Sequence, residues 1–386
     1  MFYSEDILQT ILSIFLIFAG LVFTNFLSNR IKIDNFRSNI IYIWHTFFAV
    51  LYYYYSLNRP SDSKSYYIEG ISSSYNFTLF GLGSEFVKNI IYIFNHLFEF
   101  SYFGYFILFS IFGAIGLILI DSVILKLTKH NKNILFNLSK YIVFIPSFSF
   151  WSCAIGKESI LMLGIGIIIF SIHNISRKNY LVLMFAILLI FLVRPHIAFI
   201  LFFSLMLSLF LFSNDLKLSK IIILFVFIIF FFLISPIVLK YINFMSINEI
   251  LLLNFSEIIN NYNQFIQERR LLNADSSSSI DINNFNLLKR VFYYLFMPLL
   301  FYEQNIFMVY VGIENTIILI FIIMFLFTAS NFKIYNFQNI FIICFFIVSL
   351  IFMAETTSNL GIANRQKWTL LPFLFIFLIS INKKYK

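Results

Sequence analysis

Polar side chains are scarce in this sequence, and those that could do chemistry collect at a few breaks between long apolar runs. One break reads Arg194-Pro195-His196, and another runs from Trp151 through Gly156, Lys157 and Glu158 to Ser159. A third, ETTSNLGIANRQK from Glu355 to Lys367, carries Asn359, Arg365 and Lys367 with Gly361 for backbone freedom. Glu303 and Glu314 flank the start of a further apolar run; their eleven-residue spacing is three helical turns, so both carboxylates can share one face. Asp62, with Lys64, Tyr66 and Tyr67, follows the tyrosines at 52–55. A guanidinium fixed at a helix break can hold a phosphate through two N–H groups at once. A histidine or carboxylate can take a proton from a hydroxyl. Cationic groups placed where a leaving group gains negative charge lower its barrier. Each constellation also has a plainer counterpart. Arg194 can snorkel to an interface. Lys157 and Glu158 can be an ordinary loop pair beside an anchoring Trp151. Glu314 can sit in a structural salt bridge with Arg194 or Arg365, and Asp62 can simply be solvated. Gly156-Lys157 is not a P-loop, because the upstream glycine and the preceding strand are both missing.

The elements that must position these groups follow from composition. Of the 386 residues, 60% are hydrophobic and 12% charged, with a mean hydropathy of +0.89. Water-soluble domains carry roughly 45–50% apolar and about 25% charged residues, so so few charges could not cover a soluble fold. The pattern predicts an all-α polytopic integral membrane protein with about eleven spans. They are placed at 7–27, 40–57, 101–125, 134–150, 158–173, 180–193, 197–213, 221–239, 305–328, 338–354 and 368–382. Residues 7–27 read as a retained first span rather than a cleaved leader. Basic residues in the short connections, including Arg30, Lys126, Arg177, Lys217, Lys333 and Lys383, fall on one side if the spans alternate. That side is then cytoplasmic, with the C-terminus inside and the N-terminus outside. All carboxylates except Asp34, Asp121 and Asp215 then face outward or lie near the outer boundary.

The whole chain reads as one transmembrane domain, 1–386, with two larger extracytoplasmic regions at 58–100 and 240–304. In the first, Phe86, Ile90, Phe94 and Leu97 recur at helical spacing and predict an amphipathic helix in the interface plane. In the second, Leu251, Phe255, Ile258, Tyr262 and Phe265 predict one apolar helical stripe, followed by a flexible run at 276–279 and a return to the membrane at 291–302. The formal charge of +9 is scattered through short connections, which is a topology pattern rather than a nucleic-acid surface. Two cysteines, Cys153 and Cys344, give neither a disulfide framework nor metal spacing. The five histidines are dispersed, so neither a metal nor another cofactor is expected.

Several short motifs, in order over about 146–372, resemble membrane proteins of bacterial surface-polysaccharide clusters. They are Pro146-Ser147-Phe148-Ser149-Phe150-Trp151-Ser152 with Gly156-Lys157-Glu158, Val193-Arg194-Pro195-His196, Met297-Pro298 with Glu303 and Glu314-Asn315, and Asn359-Leu360-Gly361 with Arg365-Gln366-Lys367 and Leu371-Pro372. The resemblance is to O-antigen or capsule repeat-unit polymerases, similar in plan to GT-C-type membrane glycosyltransferases. It implies a multi-pass protein of the bacterial cytoplasmic (inner) membrane acting on a polyprenyl-pyrophosphate-linked oligosaccharide, with membrane lipid and other polysaccharide-assembly proteins as partners. Asp62, His196, Glu303 and Glu314 are then catalytic candidates, although Asp62 lacks the adjacent second carboxylate. Trp151, Lys157, Glu158, Arg194, Asn359, Arg365 and Lys367 would bind pyrophosphate or glycan. A flippase for the same lipid-linked glycan, or a non-catalytic envelope-assembly protein, are the competing readings. Gathering of the candidate groups toward one side of the membrane leans toward catalysis.

Overall fold

A backbone surrounded by hydrocarbon must satisfy its own N–H and C=O groups, and for a chain this apolar the helix is the local solution. The computed structural model describes residues 6–129, 131, 133–174, 177–212, 217–272, 278–300, 302, 306–328 and 336–382. They are helical almost throughout and fall into two compact units, Met1–Arg194 and Pro195–Lys386.

The first unit contains α1 (Ile7–Ile31), α2 (Asn35–Leu57), α3 (Asp62–Gly70), α4 (Ser84–Phe98), α5 (Tyr102–Thr128), α6 (Ile134–Ser139), α7 (Pro146–Ser152), α8 (Lys157–His173) and α9 (Arg177–Val193). Helix α5 is its axis, buried along most of its length and packed by α1, α2 and α8. Between α5 and α8 the backbones touch: a Cβ added at Gly116 would strike the Met162 carbonyl, and one added at Gly166 would strike the Gly116 carbonyl. Small residues allow such close approach, which drives helix association in lipid. Where α2 and α5 cross, the fully buried His45 ring lies against Gly113 in the same way. The end of α5 explains an acidic residue inside an apolar run. Arg37 donates from Nε and Nη2 to the two Asp121 oxygens at 2.7 and 2.6 Å, and from Nη2 to the Lys140 carbonyl at 2.5 Å.

The second unit contains α10 (Pro195–Phe212), α11 (Lys217–Tyr241), α12 (Ile247–Leu252), α13 (Phe255–Leu271), α14 (Leu287–Phe296), α15 (Ile306–Thr328), α16 (Phe337–Thr356), α17 (Leu360–Gln366) and α18 (Leu371–Ile381). Here α16 is the hub, touching α10, α13, α14 and α18. Helix α11 packs mainly on α10 and is otherwise bare, as a lipid-facing helix can be.

The chain is thus an all-helical, multi-pass membrane protein, with fewer helices of spanning length than the eleven expected. Among the described residues six helices are long and apolar enough to cross a membrane, or seven if the bent pair α7–α8 is one span. Helices α2, α9 and α18 occupy three other expected positions but are too polar or too short for that test. The span expected at 134–150 is not one continuous helix: it is α6, a 3-10 turn at Ile142–Phe144, and the start of α7. Pro146 has no N–H to continue a helix and instead begins a new one. Helix α7 then meets α8 at 115°.

The amphipathic readings need correction too. Helix α4 forms as expected, but it buries Val87 and Ile91, with Phe86, Ile90 and Phe94 half-buried and Leu97 exposed. Gly70 of α3 packs against Ile91, which is why that edge turns inward. The single stripe expected from Leu251 to Phe265 is interrupted, because Asn254 caps a new helix at Phe255 through a capping box with Glu257. Phe255 is exposed, while Phe265, Ile266 and Arg270 form the buried face.

Candidate functional site

In the first unit two sequence-predicted groups, Arg194 and Glu158, meet beside the 153–156 turn. Arg194 follows the last residue of α9, and its Nη2 donates to Glu158 Oε1 at 2.6 Å. The two side chains are 6% and 17% exposed, so the pair is largely withdrawn from solvent. Glu158 sits in the first turn of α8, where a negative charge suits the helix dipole. Of the two partners expected for Glu314, Arg194 or Arg365, the first is corrected: Arg194 pairs with Glu158. Helix α3, opened by Asp62, docks on the same turn through Ser63 Oγ, which donates to the Ile155 carbonyl at 2.8 Å. Gly156 lies between the layers; a Cβ there would stand 3.5 Å from Glu158 Oε2 and 3.9 Å from the Tyr66 ring. Lys157 begins α8 beside Glu158. Trp151 is half-buried at the end of α7, edge-on to Phe150 and Tyr52 at 5.1 and 6.3 Å.

Next to this turn the pair α3–α4 is held by a polar network. Lys88 Nζ reaches Glu69 Oε2 at 2.5 Å and Glu85 Oε1 at 2.8 Å, and Tyr75 donates to Glu85 and Asn89. Hydrogen bonding from Lys88 lowers the Glu85 carboxyl below the usual carboxylate range despite the opposing effect of burial.

In the second unit the connection between α16 and α18 is more constructed than a turn requires. Asn359 caps α17, its Oδ1 accepting from Ile362 N at 3.0 Å and from Ser278 Oγ at 3.0 Å. Ser279 and Asn359 form an antiparallel bridge, flanked by Ile280 N donating to Ser358 O at 2.8 Å and Leu360 N to Ser278 O at 2.9 Å. Part of the run expected to be flexible is therefore paired; residues 276 and 277 lie outside the described residues. Lys367 is fully buried. Its ammonium donates to Asn315 Oδ1 and, at 2.6 Å, to Asn364 Oδ1. Those two amides donate in turn to the Pro298 carbonyl at 2.9 Å and the Met297 carbonyl at 3.2 Å. Lys367 thus ties α15, α17 and the end of α14 into one node. Glu314, beside Asn315, hydrogen-bonds Tyr310 and adds its charge near Lys367. Arg365 is half-buried in the last turn of α17. His196 lies in the first turn of α10, its ring 6.0 Å from Tyr241 and 5.7 Å from Phe352. Glu303 lies outside the described residues.

Glu355, which opens the third break, sits in a cluster beside α17 whose two arginines the sequence reading passed over. Glu355 Oε2 accepts from Arg270 Nη2 at 2.8 Å and from Arg290 Nη1 at 2.5 Å. Arg270 Nε also donates to the Glu355 carbonyl at 2.9 Å, and its Nη1 to Asn283 Oδ1 at 3.0 Å. Both arginines come from the long 240–304 segment, where solvated basic residues are the ordinary expectation. The available signal was that Arg270 falls four residues after Ile266 and five after Phe265, on the inward edge of its helix.

The geometry defines a multi-pass helical membrane protein whose buried charges sit at helix breaks, as Arg194 and Lys367 do, and inside helices, as Asp121 and Glu314 do. No family model matches the chain, and neither a curated protein nor a solved structure is similar to it.

Proposed function

We propose that the protein transfers lipid-linked oligosaccharide units at the outer face of a bacterial cytoplasmic membrane, building a surface polysaccharide from a polyprenyl-pyrophosphate-linked donor. The observation that carries this reading is the convergence of α3, the 153–156 turn, Glu158 and Arg194. A guanidinium and a carboxylate are held there by helix ends, beside a helix that opens with Asp62. In the transfer, an acceptor hydroxyl oxygen bonds to the donor sugar's anomeric carbon. The bond from that carbon to the pyrophosphate oxygen breaks, the hydroxyl proton goes to a carboxylate, and the pyrophosphate leaves with the electron pair. Arg194 would share its N–H donors between Glu158 and the departing pyrophosphate, whose charge rises as the bond breaks. Lys157 at the start of α8 would add a second cation. Asp62, which opens the helix docked on this turn, is the base candidate of this unit. The extracytoplasmic placement rests on the distribution of Lys and Arg along the chain.

The test is the length distribution of surface glycan after deletion of the gene, with Arg194→Ala and Arg194→Lys complements. Loss of the long-chain ladder with one repeat unit still displayed, unrestored by either variant, is the expected result. Complete loss of displayed glycan points to a flippase, and an unchanged ladder removes the polysaccharide reading.

A further inference from the structure

A cleft of about 420 Å³ with mixed polar and apolar walls opens beside the Arg270–Glu355 pair in the second unit, lined by Gln267, Arg270, Ser279, Asp281, Ile282 and Asn283 among others. That volume falls within the range of small-molecule sites, about 300–1,000 Å³. Its floor is rigid. Arg270 is nearly buried and has three of its N–H groups committed to Glu355 and Asn283. Ser358 Oγ fixes the Arg270 carbonyl at 2.7 Å. Ile282 is buried and supplies an apolar surface, whereas Gln267, Asp281 and Asn283 stand exposed at the rim. Asn283 accepts from Arg270 through its oxygen, which leaves its amide NH₂ as a donor, and Asp281 offers carboxylate acceptors.

The charge pattern selects the class of ligand. Glu355 already neutralises part of the arginine charge, and Asp281 would repel an anion, so phosphate is disfavoured. Arg270 and Arg290 disfavour a cation. Closely spaced donors and acceptors of no net sign, next to an aliphatic wall, suit vicinal hydroxyls and the C–H face of a sugar ring. We infer that this cleft binds a mono- or disaccharide segment of an uncharged glycan, distinct from the Arg194–Glu158 turn. The inference rests on the proposed function for the source of that glycan, and it places the saccharide on residues 267–283 rather than on the pyrophosphate-directed cations.

The test is calorimetric titration of the full-length protein in detergent micelles. The titrant is the repeat-unit oligosaccharide released from the source cell's own surface polysaccharide, followed by inorganic pyrophosphate. Asp281→Asn and Gln267→Ala are exposed rim changes, checked for unchanged thermal stability. Each is expected to weaken saccharide binding about tenfold, the scale of one lost hydrogen bond, while pyrophosphate leaves it intact. Absence of saccharide binding to the unaltered protein, binding by both variants as tight as that of the unaltered protein, or displacement by pyrophosphate overturns the inference. The two readings fail separately. An unchanged glycan ladder on gene deletion removes the transfer reaction without touching the calorimetry. A lost ladder with insensitive rim variants removes only the cleft.

Discussion

Arg194 and Glu158 meet at 2.6 Å with both side chains mostly out of water, joining the residue after one helix to the first turn of another. Removing Glu158 takes the ion-pair counter-charge from the buried Arg194 guanidinium, a change that costs about 3–5 kcal/mol. Arg194→Met and Glu158→Leu are each expected to lower the unfolding temperature in detergent. The double variant should recover much of the loss, because no lone charge remains. Additive losses in that cycle would show that the pair is not coupled.

Lys367 gives the opposite case, a buried cation held chiefly by neutral amides. Lys367→Met strands the Asn315 side-chain oxygen, at about 1–3 kcal/mol for an unsatisfied group, while Asn364 Oδ1 keeps the Asn315 amide as donor at 3.3 Å. Asn315→Leu leaves the ammonium short of an acceptor and also frees the Pro298 carbonyl, so it should be the more damaging change. The order is read from the fraction of protein remaining monodisperse after a heating step. Equal tolerance of both variants would mean the node is not under structural load.

Glu355 bridges two guanidiniums, so its loss sets Arg270 and Arg290 facing one another without a counter-charge. Glu355→Gln is expected to be more destabilising than Arg290→Gln, because the latter keeps the Arg270–Glu355 pair. Thermal unfolding of the two variants against the unaltered protein decides it.

Outside the spans, Glu85 provides a pH dependence. Its carboxyl is lowered in the fold by hydrogen bonding from Lys88, against the effect of burial. Its stabilising contribution is therefore complete above the pKa of the unfolded chain and is lost as pH falls through the lower folded value. Amides of 84–98 should exchange with deuterium faster relative to α5 at pH 3 than at pH 7, once intrinsic rates are divided out. Lys88→Met should abolish the difference. Persistence of it in that variant would assign the effect elsewhere.

How far these features were legible depended on whether local sequence or tertiary contact decided them. The apolar runs forecast α1, α5, α10, α15 and α16 closely, since a long hydrophobic stretch in lipid has little alternative to a helix. The 134–150 run failed because average apolarity hides a proline, and Pro146 decides the local backbone. Arg194, Glu158, Asn359 and Lys367 stood out as polar groups in an apolar chain, but not which partner each would take. The Arg194–Glu158 pair spans 36 residues, and the Arg270–Glu355 pair 85. Nothing periodic marks such pairings; they follow from how helices of each unit stack. Arg270 and Arg290 were missed for a related reason: in a long polar segment, a basic residue gives no local sign that a distant carboxylate covers it.

The contact of Gly116 with Gly166 has a consequence for how this chain can change over generations. Backbone lies against backbone there, so a methyl group gained on either helix meets a carbonyl and not a side chain that could shrink in response. Compensation by a second substitution is closed off. In descendants of this sequence the two positions should stay small together, silent in any search for covarying pairs, although they are among the most tightly coupled points of the fold.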